Sequence, residues 1–135
     1  MMRNQGFTLV EILIVVIILG ILAAIVIPQF TEASDDARTS ALSSDLQTVR
    51  AQLELYKMQH GGNYPAVGDV VTALTTVTQY DGASYGPYLT KFPINPFESS
   101  STVAAAAAAG VGWVYADAAT GKISPGGTNV ERNGM

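Results

Sequence analysis

A run of apolar residues lies near the start of the chain. Between Phe7 and Ile27 only Thr8 is polar and only Glu11 is charged. A helix over 7–27 is about 31 Å long at 1.5 Å per residue, close to the hydrocarbon thickness of a bilayer. Its apolar side chains cover every face, and a chain of 135 residues offers no core that could surround it. The pattern predicts a membrane-spanning helix.

Beyond Pro28 the apolar positions become periodic, which predicts that the helix continues. They recur at Phe30, Ala33, Ala37, Leu42, Leu46, Val49, Leu53 and Tyr56. From Leu42 the steps alternate between four and three residues, the spacing of one helix face. The pair Gly61–Gly62 is a stop signal. We therefore predict one long helix that ends at about His60, is amphipathic over 28–60 and packs its apolar stripe on a core.

Residues 61–135 predict a small globular domain of mixed secondary structure. Valine and leucine positions over 67–77 have helical spacing and predict a helix of two to three turns, with Asp69 as its N-cap. The glycines and prolines of 80–97 predict a long packed loop. Its aromatic side chains are expected to pack against the core: Tyr85, Tyr88, Phe92 and Phe97.

The last part of the chain predicts a β-hairpin. Trp113–Ala116 and Lys122–Ser124 have strand-like patterns on either side of the five-residue loop Asp117–Gly121. The alanine run Ala104–Ala109 is assigned to a loop, because the flanking Thr, Val and Gly residues disfavour a helix. The predicted fold class is α+β, with a long N-terminal helix packed on the small domain.

Composition and charge exclude several classes of function. The formal net charge is −4 and the seven basic residues are scattered, which argues against nucleic-acid binding. The chain has no Cys and one His, so disulfides, thiolate sites and multi-His metal sites are excluded within one chain. No hydrolase motif or phosphate-binding loop is present. His60, at a helix end, is expected to cap the helix or to be solvated, and no catalytic, cofactor-binding or metal-binding residue is predicted.

Three residues inside the predicted helix are unusual. A carboxylate within a membrane-spanning helix costs about 3 kcal/mol, so Glu11 requires either the interface or a nearby cation. None of the basic side chains lies in the span. Pro28 removes one backbone hydrogen bond and is expected to kink the helix. Gly20 weakens the same stretch by up to about 1 kcal/mol relative to alanine.

The hexapeptide Gly6-Phe7-Thr8-Leu9-Val10-Glu11 resembles the processing signature of type IV prepilins and type II secretion pseudopilins. The resemblance implies that a membrane peptidase cleaves between Gly6 and Phe7, that residues 1–6 are a leader, and that Phe7 is N-methylated. The new amine could then pair with Glu11 of the same chain or of a neighbouring copy. The family also implies a pilin-like fold, and a loss of helicity over Gly20–Pro28 on assembly.

The C-terminal half resembles the major pseudopilin type of domain. Its short matches are Gly86-Pro87-Tyr88-Leu89, Phe92–Phe97, Gly112–Tyr115 and Thr120–Ile123. The resemblance therefore favours a type II secretion pseudopilus over a surface pilus for adhesion, motility or DNA uptake. A membrane-anchored enzyme or binding domain is the remote alternative.

The resemblance also implies partners, a location and a possible ion. The implied partners are other copies in a helical filament, a prepilin peptidase and N-methyltransferase, an inner-membrane assembly platform, and minor pseudopilins or pilins. Arg3 before the span and the acids after it place the N-terminus in the bacterial cytoplasm, with the rest periplasmic or in a surface filament. Major pseudopilins often bind calcium in a C-terminal loop, but here only Asp117 and Glu131 are acidic after residue 110. No cofactor is therefore expected.

Overall fold

The first helix is the longest element of the fold. In the computed structural model, which describes residues 6–127, helix α1 runs over Leu9–Gln59 and has 51 residues. It stops at a glycine pair: Gly61 has φ +65° and the amide of Gly62 donates to the carbonyl of Lys57 at 2.9 Å. This bond, from the second residue beyond the cap to the last turn, is the Schellman arrangement. The predicted long helix and its stop signal are confirmed.

The chain divides into two compact units, Met1–Ala37 and Arg38–Met135. Within the second unit the buried stripe of α1 is Leu42, Leu46, Val49 and Leu53, each at most 2% exposed. The rest of the core comes from later elements: Val70, Leu74, Phe92, Trp113, Tyr115 and Ile123. Apolar burial of this kind is the main term that stabilises a small domain. The predicted stripe is thus confirmed from Leu42 onward.

The earlier part of that stripe does not join this core. Phe30 is 72% exposed, and Ala33 and Ala37 are also exposed. The reason lies in the spacing, since Leu42 is the fifth residue after Ala37. A step of five residues rotates a helix by about 140° beyond a full turn, so the residues up to Ala37 and those from Leu42 onward cannot share one face.

Helix α2 is short and lies where the valine pattern predicts it. It covers Val70–Thr75, six residues, with Asp69 at the N-cap position. The Asp69 side chain makes no capping hydrogen bond, although its carbonyl accepts from the amide of Ala73 at 2.8 Å. The helix is shorter than predicted because the chain is already extended at Thr76.

A β-hairpin replaces the first part of the predicted long loop. Strands β1 (Thr78–Tyr80) and β2 (Ala83–Tyr85) pair antiparallel. Asp81 and Gly82 connect them with φ values of +49° and +79°. Positive φ at both central residues is the geometry of a tight hairpin turn, which Asp-Gly sequences favour.

The rest of 80–97 is a loop whose aromatic side chains pack largely as predicted. Phe92 is buried, and Tyr88 and Phe97 are half-buried against the core. Tyr85 instead contacts the ring of His60.

The second sheet has the order β3-β4-β5. Strand β4 (Trp113–Tyr115) pairs antiparallel with β5 (Ile123–Pro125), which confirms the predicted hairpin. The connection covers 116–122, so it is one residue longer at each end than the predicted loop Asp117–Gly121. Strand β3 (Val103–Ala104) pairs parallel with β4, so Ala104 is the member of the alanine run that lies in a strand. Gly112 permits this packing, because a Cβ there would lie 2.1 Å from the carbonyl oxygen of Ser100.

Alkaline pH is expected to destabilise the core through its tyrosines. Tyr115 is fully buried and donates its hydroxyl to the carbonyl of Pro65 at 3.0 Å. Burial raises the pKa of Tyr115 to about 12, and burial also raises the pKa values of Tyr56 and Tyr88. An unfolded tyrosine titrates near pKa about 10, so above that pH the unfolded chain releases protons that the folded chain retains.

The tyrosine contribution to the free energy of unfolding should therefore be constant below about pH 9 and fall as the pH rises through about 10 to 12. Denaturant unfolding of the full chain in detergent at several pH values checks this. Tyr115→Phe should make the decline shallower, since it removes one titrating group. An identical decline in the variant contradicts the assignment.

Candidate functional site

The candidate processing bond lies ahead of α1, outside any helix or strand. Gly6 and Phe7 are both exposed, Phe7 to 82%, and no atom lies within 4 Å of a Cβ built on Gly6. Phe7 borders an open apolar recess with Ile12 and Val16, but most of its surface stays exposed. The backbone between Gly6 and Phe7 is therefore accessible to an enzyme.

Glu11 closes the first turn of α1 by bonding to Thr8. One carboxylate oxygen, Oε2, accepts from the Thr8 amide at 2.8 Å and from the Thr8 hydroxyl at 2.9 Å. The Glu11 amide in turn donates to Thr8 Oγ1 at 3.2 Å. This reciprocal arrangement is a capping box, which satisfies helix amides that otherwise have no partner.

The capping box holds one oxygen of the Glu11 carboxylate, Oε2, and leaves the other, Oε1, able to accept a further hydrogen bond. Among the described residues, Oε1 accepts no hydrogen bond. Phe7 precedes α1, so Phe7 and Glu11 do not lie on one face of that helix in the uncleaved chain, and pairing within one chain after cleavage stays a prediction. The role of Thr8 was not predicted, although a threonine three residues before an acid and ahead of an apolar run is the usual capping-box signal.

The apolar part of α1 fits a bilayer. An 18-residue window has a mean hydropathy of 3.3, and none of that window is buried in the structure. Large apolar side chains from Leu9 to Ile27 are 42–83% exposed. By length and composition α1 is the one helix in residues 6–127 that could cross a membrane.

Comparisons with known proteins agree with this arrangement. Residues 1–27 match the prokaryotic N-terminal methylation motif, and residues 29–129 match the family of type II secretion system protein G. The chain belongs to the protein G family of type II secretion systems. It is therefore a pseudopilin with the processing motif of that family.

Individual relatives give the same result. The type II secretion system core protein G of Pseudomonas aeruginosa is 35% identical over 124 residues, which cover 89% of this chain and 87% of that protein. The protein of the same name from Klebsiella pneumoniae is 32% identical over 103 residues, or 73% of each chain. A type IV narrow pilus major component, PilA5 of Thermus thermophilus, is 38% identical over 61 residues, which cover 45% of this pseudopilin. No solved structure matches the chain.

Helix α1 of this pseudopilin is continuous through Gly20 and Pro28. A Cβ built on Gly20 meets no atom within 4 Å, so packing in the single chain does not require a glycine there. The Thr31 hydroxyl donates to the carbonyl of Ile27 at 3.3 Å, one turn back. Loss of helicity over Gly20–Pro28 on assembly stays a prediction.

His60 is not solvated, because only 5% of its surface is exposed. Its Nδ1 lies 2.9 Å from the Tyr56 carbonyl oxygen, so the expected capping of the helix end is observed. The burial was missed because three of the four tyrosines that contact His60 follow it by 20 to 28 residues in the sequence.

The C-terminal loop contains Asp117, one of the two acids that follow residue 110. Asp117 is engaged in its own turn, with Oδ1 accepting from the Ala119 amide at 2.8 Å and its carbonyl accepting from the Gly121 amide at 3.1 Å. Within residues 6–127 no group of three acidic, His or Cys side chains is placed to hold a metal. Glu131 lies outside the described residues. The expectation that this loop holds no calcium stays a prediction.

Proposed function

We propose that this pseudopilin is a structural subunit of the filament of a type II secretion system, and that the filament drives protein export across the outer membrane. The observation that carries the proposal is the family match over residues 29–129. The relatives of the same family, which are named core proteins of the secretion system, support a structural role.

Before assembly, the apolar part of α1 holds the subunit in the inner membrane. Arg3 precedes the span and Glu32, Asp35 and Asp36 follow it. This asymmetry favours a cytoplasmic N-terminus. A prepilin peptidase then cleaves the exposed bond between Gly6 and Phe7 and methylates the new terminus at Phe7.

Cleavage creates a cation close to Glu11. The free carboxylate oxygen Oε1 can accept a hydrogen bond from the methylated amine of a neighbouring subunit, while Thr8 holds Oε2. Moving a charge from water into a low-dielectric bundle costs desolvation free energy. The attraction between the amine and the carboxylate offsets much of that cost, but only when both charges are present. A subunit that is out of register leaves two unpaired charges, so the pair selects the correct stagger between copies.

The stretch Gly20–Pro28 is proposed to lose helicity when the subunit enters the filament. In assembled wild-type protein, amide exchange over 20–28 should be faster than in the flanking turns. Gly20→Ala should slow that exchange several-fold, because alanine favours the helix by about 1 kcal/mol and meets no steric obstacle.

The matched control for Gly20→Ala is Ser44→Ala, an exposed position on the same helix outside the stretch. It should leave exchange over 20–28 unchanged. Exchange that is no faster over 20–28 than in the flanking turns of the wild-type filament contradicts the loss of helicity.

A surface pilus is the second candidate, because one relative with 38% identity is a type IV pilus component. Deletion of the gene separates the two. We expect the deletion to abolish secretion of exported proteins while surface pili remain. Normal secretion together with loss of surface pili favours the pilus instead.

The proposal includes other copies of the chain, the peptidase, an inner-membrane assembly platform and minor pseudopilins as partners. It assigns no cofactor and no calcium role to the C-terminal loop. The proposed location is the inner membrane before assembly and a periplasmic filament afterwards.

A further inference from the structure

The hairpin formed by β1 and β2 has little attachment to the core. None of its strand residues is buried, whereas β4 and β5 each bury two of their three residues. The hairpin forms a sheet of two strands that is separate from the sheet of β3, β4 and β5. A two-stranded hairpin is at best marginally stable in water by itself. Something outside its own pairing must therefore hold it closed.

The side chain of His60 provides that attachment at the end of α1. Its ring stacks on the ring of Tyr56, with centroids 3.7 Å apart and planes within 2°. From the hairpin, Tyr80 and Tyr85 contact the same imidazole, with centroids 5.4 and 5.5 Å away. Tyr88, just beyond the hairpin, completes the aromatic surround at 6.4 Å.

The hydrogen bonds of His60 run in a defined direction. A carbonyl oxygen can only accept, so Nδ1 donates to the Tyr56 carbonyl at 2.9 Å. In the neutral ring Nε2 then accepts from the hydroxyl of Thr78, the first residue of β1, at 3.0 Å. The other partner of that hydroxyl, the Tyr85 carbonyl oxygen, lies farther away at 3.4 Å. One buried side chain thus bonds to the helix with one nitrogen and to the hairpin with the other.

Gly61 brings the hairpin close to the helix end. Its φ of +65° turns the chain, and a Cβ there would lie 2.0 Å from the Tyr80 hydroxyl oxygen. The absence of that atom lets the Tyr80 ring lie beside His60. The glycine that ends α1 therefore also leaves room for the hairpin to pack against the end of the helix.

We propose that the β1–β2 hairpin is a strap that opens separately from the core, and that His60 is the latch that closes it on the end of α1. Opening breaks the bond between His60 and Thr78 and separates the hairpin tyrosines from the imidazole. The buried residues of β4 and β5 keep their contacts. The strap is thus a low-stability unit attached to a more stable one.

Hydrogen exchange of the full chain in detergent tests the latch. Thr78→Val preserves the shape and β propensity of the side chain but removes the hydroxyl that bonds to Nε2 and, at 3.4 Å, to the Tyr85 carbonyl. Loss of one partner of this part-buried hydrogen bond should raise exchange at the β1 and β2 amides by about tenfold or more. Amides of β4 and β5 should exchange as in the wild type.

Two further variants make the result decisive. Thr48→Val removes an exposed hydroxyl that donates to the Ser44 carbonyl at 3.0 Å, and it should change no hairpin amide. His60→Phe keeps a stacking ring without nitrogens and should match Thr78→Val, and the double variant should add little to either change. Unchanged hairpin exchange in either Thr78→Val or His60→Phe, or an equal rise in β4 and β5, overturns the proposal.

Discussion

Replacing Glu11 with alanine should leave membrane insertion and leader cleavage intact and reduce the filament yield by at least about tenfold. The apolar run that inserts the subunit does not depend on the carboxylate. In the assembled filament, removal of one partner of a buried charge pair costs about 3–5 kcal/mol, because the other charge is left unpaired. Sheared filaments, quantified against the membrane-bound subunit, measure the effect.

Two control variants separate pairing from helix capping. Thr8→Val removes the hydroxyl from the capping box but keeps the Glu11 carboxylate, so its effect on yield should be clearly smaller. Glu32→Gln removes an exposed acid that lies beyond the apolar run and should have little effect. A normal filament yield from Glu11→Ala rules out the pairing role, and equal losses from Thr8→Val and Glu11→Ala assign Glu11 to capping alone.

Replacing Trp113 with alanine should destabilise the globular unit more than any other single truncation in its core. The side chain is fully buried and packs edge-on against Phe92, with ring centroids 6.4 Å apart. Its indole Nε1 donates to the carbonyl of Pro93 at 2.9 Å. Truncation of a buried aromatic residue costs about 3–5 kcal/mol, a large part of the stability of a small domain.

Thermal and denaturant unfolding of the full chain in detergent measure this loss. Trp113→Phe keeps an aromatic ring but leaves the Pro93 carbonyl without its donor, so the free energy of unfolding should fall by about 1–3 kcal/mol. Ile94→Ala, at a residue that is 46% exposed, should cost less than about 1 kcal/mol. A loss below about 1 kcal/mol for Trp113→Ala contradicts the assignment of the core.

The sequence predicted the elements whose signals are local. The long helix, its glycine stop and the hairpin around 116–122 follow from hydrophobic spacing and turn residues within one segment. The step of five residues between Ala37 and Leu42 was also visible, and it explains why the stripe does not extend to Phe30.

Features that depend on distant residues could not be predicted in the same way. The β1–β2 hairpin has an Asp81–Gly82 turn signal, but the many glycines and prolines after it favoured a loop. The burial of His60 depends on Tyr80 and Tyr85, which the fold brings back to the helix end. At the candidate site, the motif from Gly6 to Glu11 was evident in the sequence, whereas the hydrogen bonds between Thr8 and Glu11 were found only in the structure.

Leader cleavage and methylation can be measured together from the intact mass of the native protein. We expect a chain of residues 7–135 that carries one additional methyl group, with fragmentation placing the methyl on the amine of Phe7. A native protein that still begins at Met1, or that begins at Phe7 without the methyl group, contradicts this expectation.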